Sequence, residues 1–518
     1  MRVHELLSRS AARAPDAVAV IEPAGRIAYG ELDARATAVA AELSAAGVRP
    51  GDRVVLAAPN SIEFVSAYFG ILRAGAVVVP LQPGPRNDRL LKAIADCGPV
   101  ACIVDDSTWP LLGDGPATDV RARFVIPRNA VAAVPRGAAT IAALDRRMPL
   151  ADRTGAPPAD ARGEDDLAAI IYTSGSTGAP RGVMLTHGNI TANTRSIVTY
   201  LGLTAADRMM VVLPFYYVYG LSLLHTHVAV GGSLVLDNRF AFPNAVLQAM
   251  REHAVTGFAG VPSTFTLLLH RSNLASAPVP ALRYVTQAGG PMPPARLHEW
   301  LGVLPDVPFY VMYGATEAAA RLTYLPPEEL LRRPGSIGRP IPGVSISVIK
   351  ETGERAINGD VGELVAAGPN IARGYWNQPE ETAQRFGPDG YRTGDLGYAD
   401  ADGFLYLVGR QSEMLKIGGH RVSALEIEEA LHDHPAVHEA AVVGVPHDVL
   451  DEAALAYVVL RNGDQSTDQE LMTFARTRLA EHKVPVRIVV IQEIPKTPAG
   501  KLDKRALKET PAGVLLQG

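Results

Sequence analysis

The residues best suited to chemistry lie in the run "YTSGSTGAPRGVMLTH", Tyr172 to His187. Gly175, Gly178 and Gly182 remove side chains that would block an approaching ligand. Thr173, Ser174, Ser176 and Thr177 supply hydroxyl donors, and Arg181 supplies a positive charge. Backbone N–H groups and hydroxyls gathered in this way make a cradle for an anion. The preceding "LAAII" reads as a buried strand, so the run is a loop leaving a sheet rather than a flexible linker. It is not the G-x-x-x-x-G-K-[ST] phosphate loop, because no Lys-Ser or Lys-Thr pair follows.

The elements that must position such a loop are legible around it. Strands are expected at "LAAIIYT", "RMMVVL", "GSLVL", "LRYVTQA" and "PFYVMY", with helices between them. Strand–helix alternation predicts an α/β fold with parallel-rich sheets, and ligands in such folds sit beyond the carboxyl ends of strands. The first ~110 residues show the same alternation. From Gly113 to Asp166 the chain is rich in Ala, Pro, Arg, Gly and Asp, and is expected to be a peripheral excursion. Beyond Arg410 the character changes to a compact α+β unit, in which Ser423 and Glu426 open a helix as a capping box. The expected division is a large domain, residues 1–410, and a small mobile domain, residues 411–518.

At 518 residues the chain is too long for one ordinary core. A net charge of −5 offers no basic field for nucleic acid. No uncharged apolar run reaches the ~18 residues that a membrane helix needs, and no signal peptide is recognisable, so a cytoplasmic protein is expected. Cys97 and Cys102 read as reduced structural thiols. His225 and His227, two apart on one helix, do not share a face and do not read as a metal site.

Five segments in register carry a resemblance: "YTSGSTGAPRGV", "MYGATE", "YRTGD", "GRQSEMLKIGGHRVSALEIE" and "PKTPAGKLDK". Together they make the chain similar, over nearly its whole length, to the adenylate-forming (ANL) superfamily of acyl-CoA synthetases, stand-alone adenylation enzymes and luciferases. The resemblance implies an enzyme that uses ATP and Mg²⁺ to activate a carboxylic acid as acyl-AMP and then passes the acyl group to a thiol. CoA is the expected acceptor; the alternative is the phosphopantetheine of an acyl carrier protein acting in trans. A non-catalytic adenylate binder is the remote rival. The oligomeric state, monomer or homodimer, is left open.

The resemblance also assigns roles. Thr173, Ser174, Gly175, Ser176, Thr177, Gly178 and Arg181 would hold the β- and γ-phosphates, with Tyr313 and Gly314 beside the nucleotide. Thr316 would contact the α-phosphate and Glu317 would bind Mg²⁺. Asp395 would accept the ribose hydroxyls with Arg410 assisting. Gly289 and Gly290 would line the adenine and acyl pocket, together with Tyr216, Tyr217, Val218, Gly220 and Ala315. Lys501 would bridge the substrate carboxylate and the α-phosphate, where charge builds in the transition state. Ser412 falls at the family's hinge, and Lys416, Gly418 and Gly419 near its thiol tunnel. Taken alone, Asp395 could cap a turn and Glu317 could head a helix "EAAARL". Glu426 and Glu428 match the family as well, but are left outside the site.

Three positions depart from the family pattern. Arg181 stands for the usual Lys, Tyr217 stands where a His commonly follows the aromatic gate, and Ser412 replaces a charged hinge residue. Between Asp207 and Asp237 there is no acidic residue to pair with an α-ammonium group, which favours a plain carboxylic acid over an amino acid.

Overall fold

The computed structural model describes residues 1–85, 87–112, 120, 122–126, 139–140, 163–174, 180–447, 449–461, 463–496 and 502–508. The expected strands are present as Leu167–Ser174, Arg208–Val211, Ser233–Leu236, Tyr284–Gln287 and Phe309–Tyr313. Four of them join Gly257–Gly260 in the parallel heart of a fourteen-stranded sheet. After Phe309–Tyr313 the chain reverses. Thr323–Leu325 pairs antiparallel with it, and the sheet continues antiparallel through Ser336–Pro340, Leu405–Arg410 and Gly390–Ala399. The turn that makes this reversal, 314–322, therefore lies at the carboxyl end of the last parallel strand.

A second sheet, of seven strands, is parallel from Ala139–Thr140 across to Leu167–Ser174 and ends in an antiparallel hairpin with Pro180–Thr186. The glycine-rich run joins these two strands, and its residues 175–179 lie outside the described residues. Between the sheets runs the helix Ile62–Arg73, all of whose residues are buried. It touches strands of both sheets. Ser61 caps it by accepting from the Phe64 amide at 3.1 Å. Its Phe64, Tyr68 and Phe69 are removed from water, at roughly 25 cal/mol per Å² of apolar surface. Its final residue, Arg73, is paired in this interior, where Asp33 and the Ser8 hydroxyl receive its guanidinium.

The excursion expected over Gly113 to Asp166 lies mostly outside the described residues, but Ala122–Ile126 corrects it: this is a sheet strand, parallel to Ala101–Asp105. The apolar run "FVI" within it is what inserts. Cys97 and Cys102 are buried free thiols, both pushed up to about 12 by burial. His225 and His227 are buried on the helix Val218–Val230, bonded to the Tyr68 and Tyr284 hydroxyls respectively. Among the described residues, no helix is long and apolar enough to cross a membrane.

The small domain has its own five-stranded sheet, beginning at Met414–Ile417 just after the large sheet's Leu405–Arg410. Its first hairpin turns on Gly418 and Gly419, at φ +55° and +81°, the two left-handed residues that a two-residue turn of this kind requires. Ser423 caps the helix Ala424–His432 through the Glu426 amide at 3.2 Å. The capping box is only half made, because the Glu426 carboxylate pairs with Lys483 at 2.6 Å instead.

Glu428, on the same helix, is buried and holds Lys504 at 2.8 Å; Glu413 holds the same ammonium at 3.0 Å. Burial raises Glu428 above the ordinary carboxylate range against the pull of Lys504. A raised carboxylate favours the fold when protonated, and that contribution is lost as pH rises through its pKa. Lys504→Met should therefore destabilise the protein by about 3 kcal/mol at alkaline pH, with much of the loss recovered on acidification. Urea midpoints of both proteins across the carboxylate range and above check this.

Candidate active site

Asp395 is the best-defined group of the site. It lies in the strand Gly390–Ala399, directly opposite Arg410 of Leu405–Arg410. Only 7% of it is exposed. The Arg410 Nε donates to its Oδ1 at 2.9 Å, and the Tyr313 hydroxyl donates to its Oδ2 at 2.6 Å. Asp395 in turn raises the Arg410 guanidinium, and burial followed by Asp395 raises the Tyr313 phenol far out of its titration range. Each carboxylate oxygen keeps acceptor capacity beyond its one bond, the requirement for receiving a pair of neighbouring hydroxyls.

The reversal turn supplies the next groups. Gly314 passes so close to the returning chain that a Cβ there would stand 1.9 Å from the Ala320 carbonyl oxygen. Thr316–Ala318 forms a single 3₁₀ turn rather than the start of a helix. Ala319 and Ala320 then sit at φ +52° and +123°, conformations that L residues hold only when the surroundings impose them. Those surroundings are two side-chain amides. Asn370 donates to the Ala318 and Arg321 carbonyls at 3.0 and 2.9 Å, and Asn193 donates to the Arg321 carbonyl at 3.0 Å. Sequence reasoning did not find this pair, since nothing local to an Asn announces a partner 49 to 128 positions away.

Glu317 projects from the strained turn and accepts the Tyr375 hydroxyl on Oε1 at 2.8 Å. Burial and then Glu317 raise the Tyr375 phenol, so it stays a donor. A carboxylate presented by one phenol suits a hard cation. Among the described residues no cluster of three or more His, Cys, Asp or Glu could hold a metal by itself. This donor set fits a magnesium ion shared with phosphate oxygens, not one caged by protein alone.

Asp395, Arg410, Tyr313 and Thr316 face a cleft of about 2150 Å³ between the two domains. Thr173, Tyr216, Tyr217, Val218, Gly220, Gly289, Gly290, Tyr313, Gly314, Ala315, Thr316, Asp395, Arg410 and Ser412 all line it. Gln287, fully buried at the end of Tyr284–Gln287, fixes the glycine pair by donating to the Gly290 carbonyl at 2.7 Å. From the small domain the wall is completed by Glu413, Glu428, Lys496, Leu502 and Lys504. Glu428 and Lys504 are thus part of the cleft although the sequence analysis left Glu428 out.

Other expected residues are not brought there. Arg181 pairs with Glu381 at 2.7 Å and lies over the Tyr375 ring, away from the cleft wall. Glu317 stands just behind Thr316, outside the lining residues. Lys416, Gly418 and Gly419 lie on the small domain's outer hairpin, not on the cleft. Gly175, Ser176, Thr177, Gly178 and Lys501 are outside the described residues, as is the side chain of Ser174. The segments flanking Lys501, ending at Lys496 and resuming at Leu502, both reach the cleft.

Removing Asp395 removes an acceptor already held in place by two donors. Asp395→Ala should raise the KM for ATP about 10- to 100-fold. Tyr313→Phe, which keeps the carboxylate and removes one donor, should give a smaller rise. Initial-rate kinetics in ATP distinguish the two.

Comparison with known proteins accords with this geometry. The family model described as "AMP-binding enzyme" matches residues 7–376, and that described as "AMP-binding enzyme C-terminal domain" matches residues 426–501. A long-chain-fatty-acid–CoA ligase of Bacillus subtilis is 31% identical, over 98% of this chain and 94% of that protein. The crystal structure of ATP-bound MatB from Rhodopseudomonas palustris superposes with a TM-score of 0.87 at 30% identity, covering 100% of both chains. The o-succinylbenzoate CoA synthetase of Bacillus subtilis bound to its acyl-adenylate is 28% identical over 98% of each chain, with a TM-score of 0.84. The same synthetase with ATP and a magnesium ion gives 0.83. Matched by these family models along both domains, the chain is a member of the AMP-binding enzyme family.

Proposed function

We propose that this protein is an AMP-forming acid–CoA ligase. The observation that carries the reading is the convergence on one cleft of Thr316, the Tyr313–Asp395–Arg410 cradle, the Gly289–Gly290 turn and both flanks of the Lys501 segment. The division at 410/411 is supported by the passage from the large sheet's Leu405–Arg410 to the small sheet's Met414–Ile417.

In the first half-reaction a carboxylate oxygen of the acid attacks the α-phosphorus of ATP. The bond from that phosphorus to the bridging oxygen breaks, and pyrophosphate leaves. Asp395 and Arg410 hold the ribose, Thr316 orients the α-phosphate, and the glycine-rich run from Thr173 to Gly178 cradles the β- and γ-phosphates. Lys501 supplies positive charge at the reacting oxygens, where stabilisation lowers the barrier. Glu317 would hold magnesium, which when bound would supply positive charge beside the phosphate oxygens. In the second half-reaction a thiolate attacks the acyl carbonyl and AMP leaves.

Lys496, Leu502 and Lys504 face the cleft while Lys416, Gly418 and Gly419 do not. This supports reading the arrangement as the adenylating one. Rotation about Ser412 would then bring the Gly418–Gly419 hairpin to the cleft for thioester formation. CoA is favoured as acceptor because the relatives named above include CoA ligases. A carrier protein's phosphopantetheine is the alternative acceptor.

Lys501→Ala should lower acyl-AMP formation at least about 100-fold while leaving ATP affinity within a few-fold. It should also leave CoA acylation from pre-formed acyl-AMP largely intact. Single-turnover assays of each half-reaction check both, and equal loss in both halves would contradict the role given to Lys501. Thioester formation with a carrier protein but none with CoA would overturn the acceptor.

A further inference from the structure

We propose that the acid activated here carries a second anionic group, recognised by Arg321 at the inner end of the cleft. The inference rests on the ligase reading and names its substrate class. Three described arginines are less than a tenth exposed: Arg73, Arg296 and Arg321. Arg73 is paired with Asp33, and Arg296 with Glu299 at 2.7 Å. Arg321, the most buried at 2% exposed, has no carboxylate partner among the described residues. Its Nε donates to the Met312 sulfur at 3.3 Å and its Nη1 to the Ala320 carbonyl at 3.4 Å, both weak bonds. The guanidinium carbon stands 4.0 Å from the centre of the Tyr219 ring.

A buried charge without a counter-charge is costly, and a guanidinium presents a planar fork matched to a carboxylate. The fork is also held for use. The Tyr219 hydroxyl is tied to the Thr286 carbonyl and hydroxyl at 3.0 and 3.1 Å, which fixes the ring as a platform under Arg321. The backbone of Arg321 is fixed by Asn193 and Asn370. Arg321 and Tyr219 line the same cleft as Tyr217 and Gly289, so a substrate lying along it reaches both. The void on the other side of Arg321 is only about 10 Å³, room for no more than a water, so an anion must arrive from the cleft. With no acidic residue between Asp207 and Asp237, this inner end selects for negative and not positive groups.

The test traps acyl-AMP with hydroxylamine, which needs no thiol, and compares short aliphatic and aromatic dicarboxylic acids with their monomethyl esters. The wild-type protein is expected to prefer the diacids in kcat/KM by on the order of 100-fold, because the ester leaves the guanidinium unpaired. Arg321→Met should abolish or invert this preference, and Arg321→Lys should keep part of it. Equal or better use of the esters and neutral acids by the wild-type protein would overturn the inference, leaving Arg321 a packing role only, while the ligase reading stands. Absence of hydroxamate with every acid, charged or neutral, would overturn the ligase reading itself.

Discussion

The rest of the site depends on one buried carboxylate. Asp395 is held by a phenol from the last parallel strand and by a guanidinium from the last strand before the small domain. It therefore ties the parallel heart of the large sheet, its antiparallel extension and the interdomain junction at a single point. Buried charge is tolerated only when paired and hydrogen-bonded, so the two donors are a condition of Asp395 being there at all. The same bonds point its remaining acceptor capacity at the cleft.

The second constraint is the reversal between Tyr313 and Thr323. A parallel sheet that ends by turning antiparallel must pack its return against its own strand, and Gly314 is the residue that allows the approach. Holding Ala319 and Ala320 in left-handed backbone costs free energy on the order of 1–3 kcal/mol for each residue. The Asn193 and Asn370 amides, arriving from two separate elements, offset it. The result is a rigid turn that presents Thr316, Glu317 and Arg321 in fixed directions. Rigidity of this kind suits catalysis that relies on positioned charge.

Much of this was legible in the sequence because the relevant signals are local. Strand alternation, the glycine-rich run, "MYGATE" and "YRTGD" each announce themselves within a dozen residues, and the strands around them fell as expected, with Thr173, Tyr313, Thr316 and Asp395 on the wall of one cleft. What escaped is what depends on long-range partners. The strand Ala122–Ile126 hides in a segment whose composition reads as loop. Glu428 matched the family but was left outside the site, because its partner Lys504 stands 76 positions later. Arg181, expected at the phosphates, pairs with Glu381, 200 positions later, a partner that no local signal announces. Arg321 gave no signal at all, since an Arg after "EAAA" reads as a solvated helix residue.

The central claim is that this cleft joins a carboxylate to the α-phosphorus of ATP. The measurement that bears on it most directly is acid-dependent exchange of labelled pyrophosphate into ATP, without any thiol present. The account predicts exchange that requires both magnesium and a carboxylic acid. Exchange absent with every carboxylic acid offered, in a folded protein that still binds ATP, would contradict it.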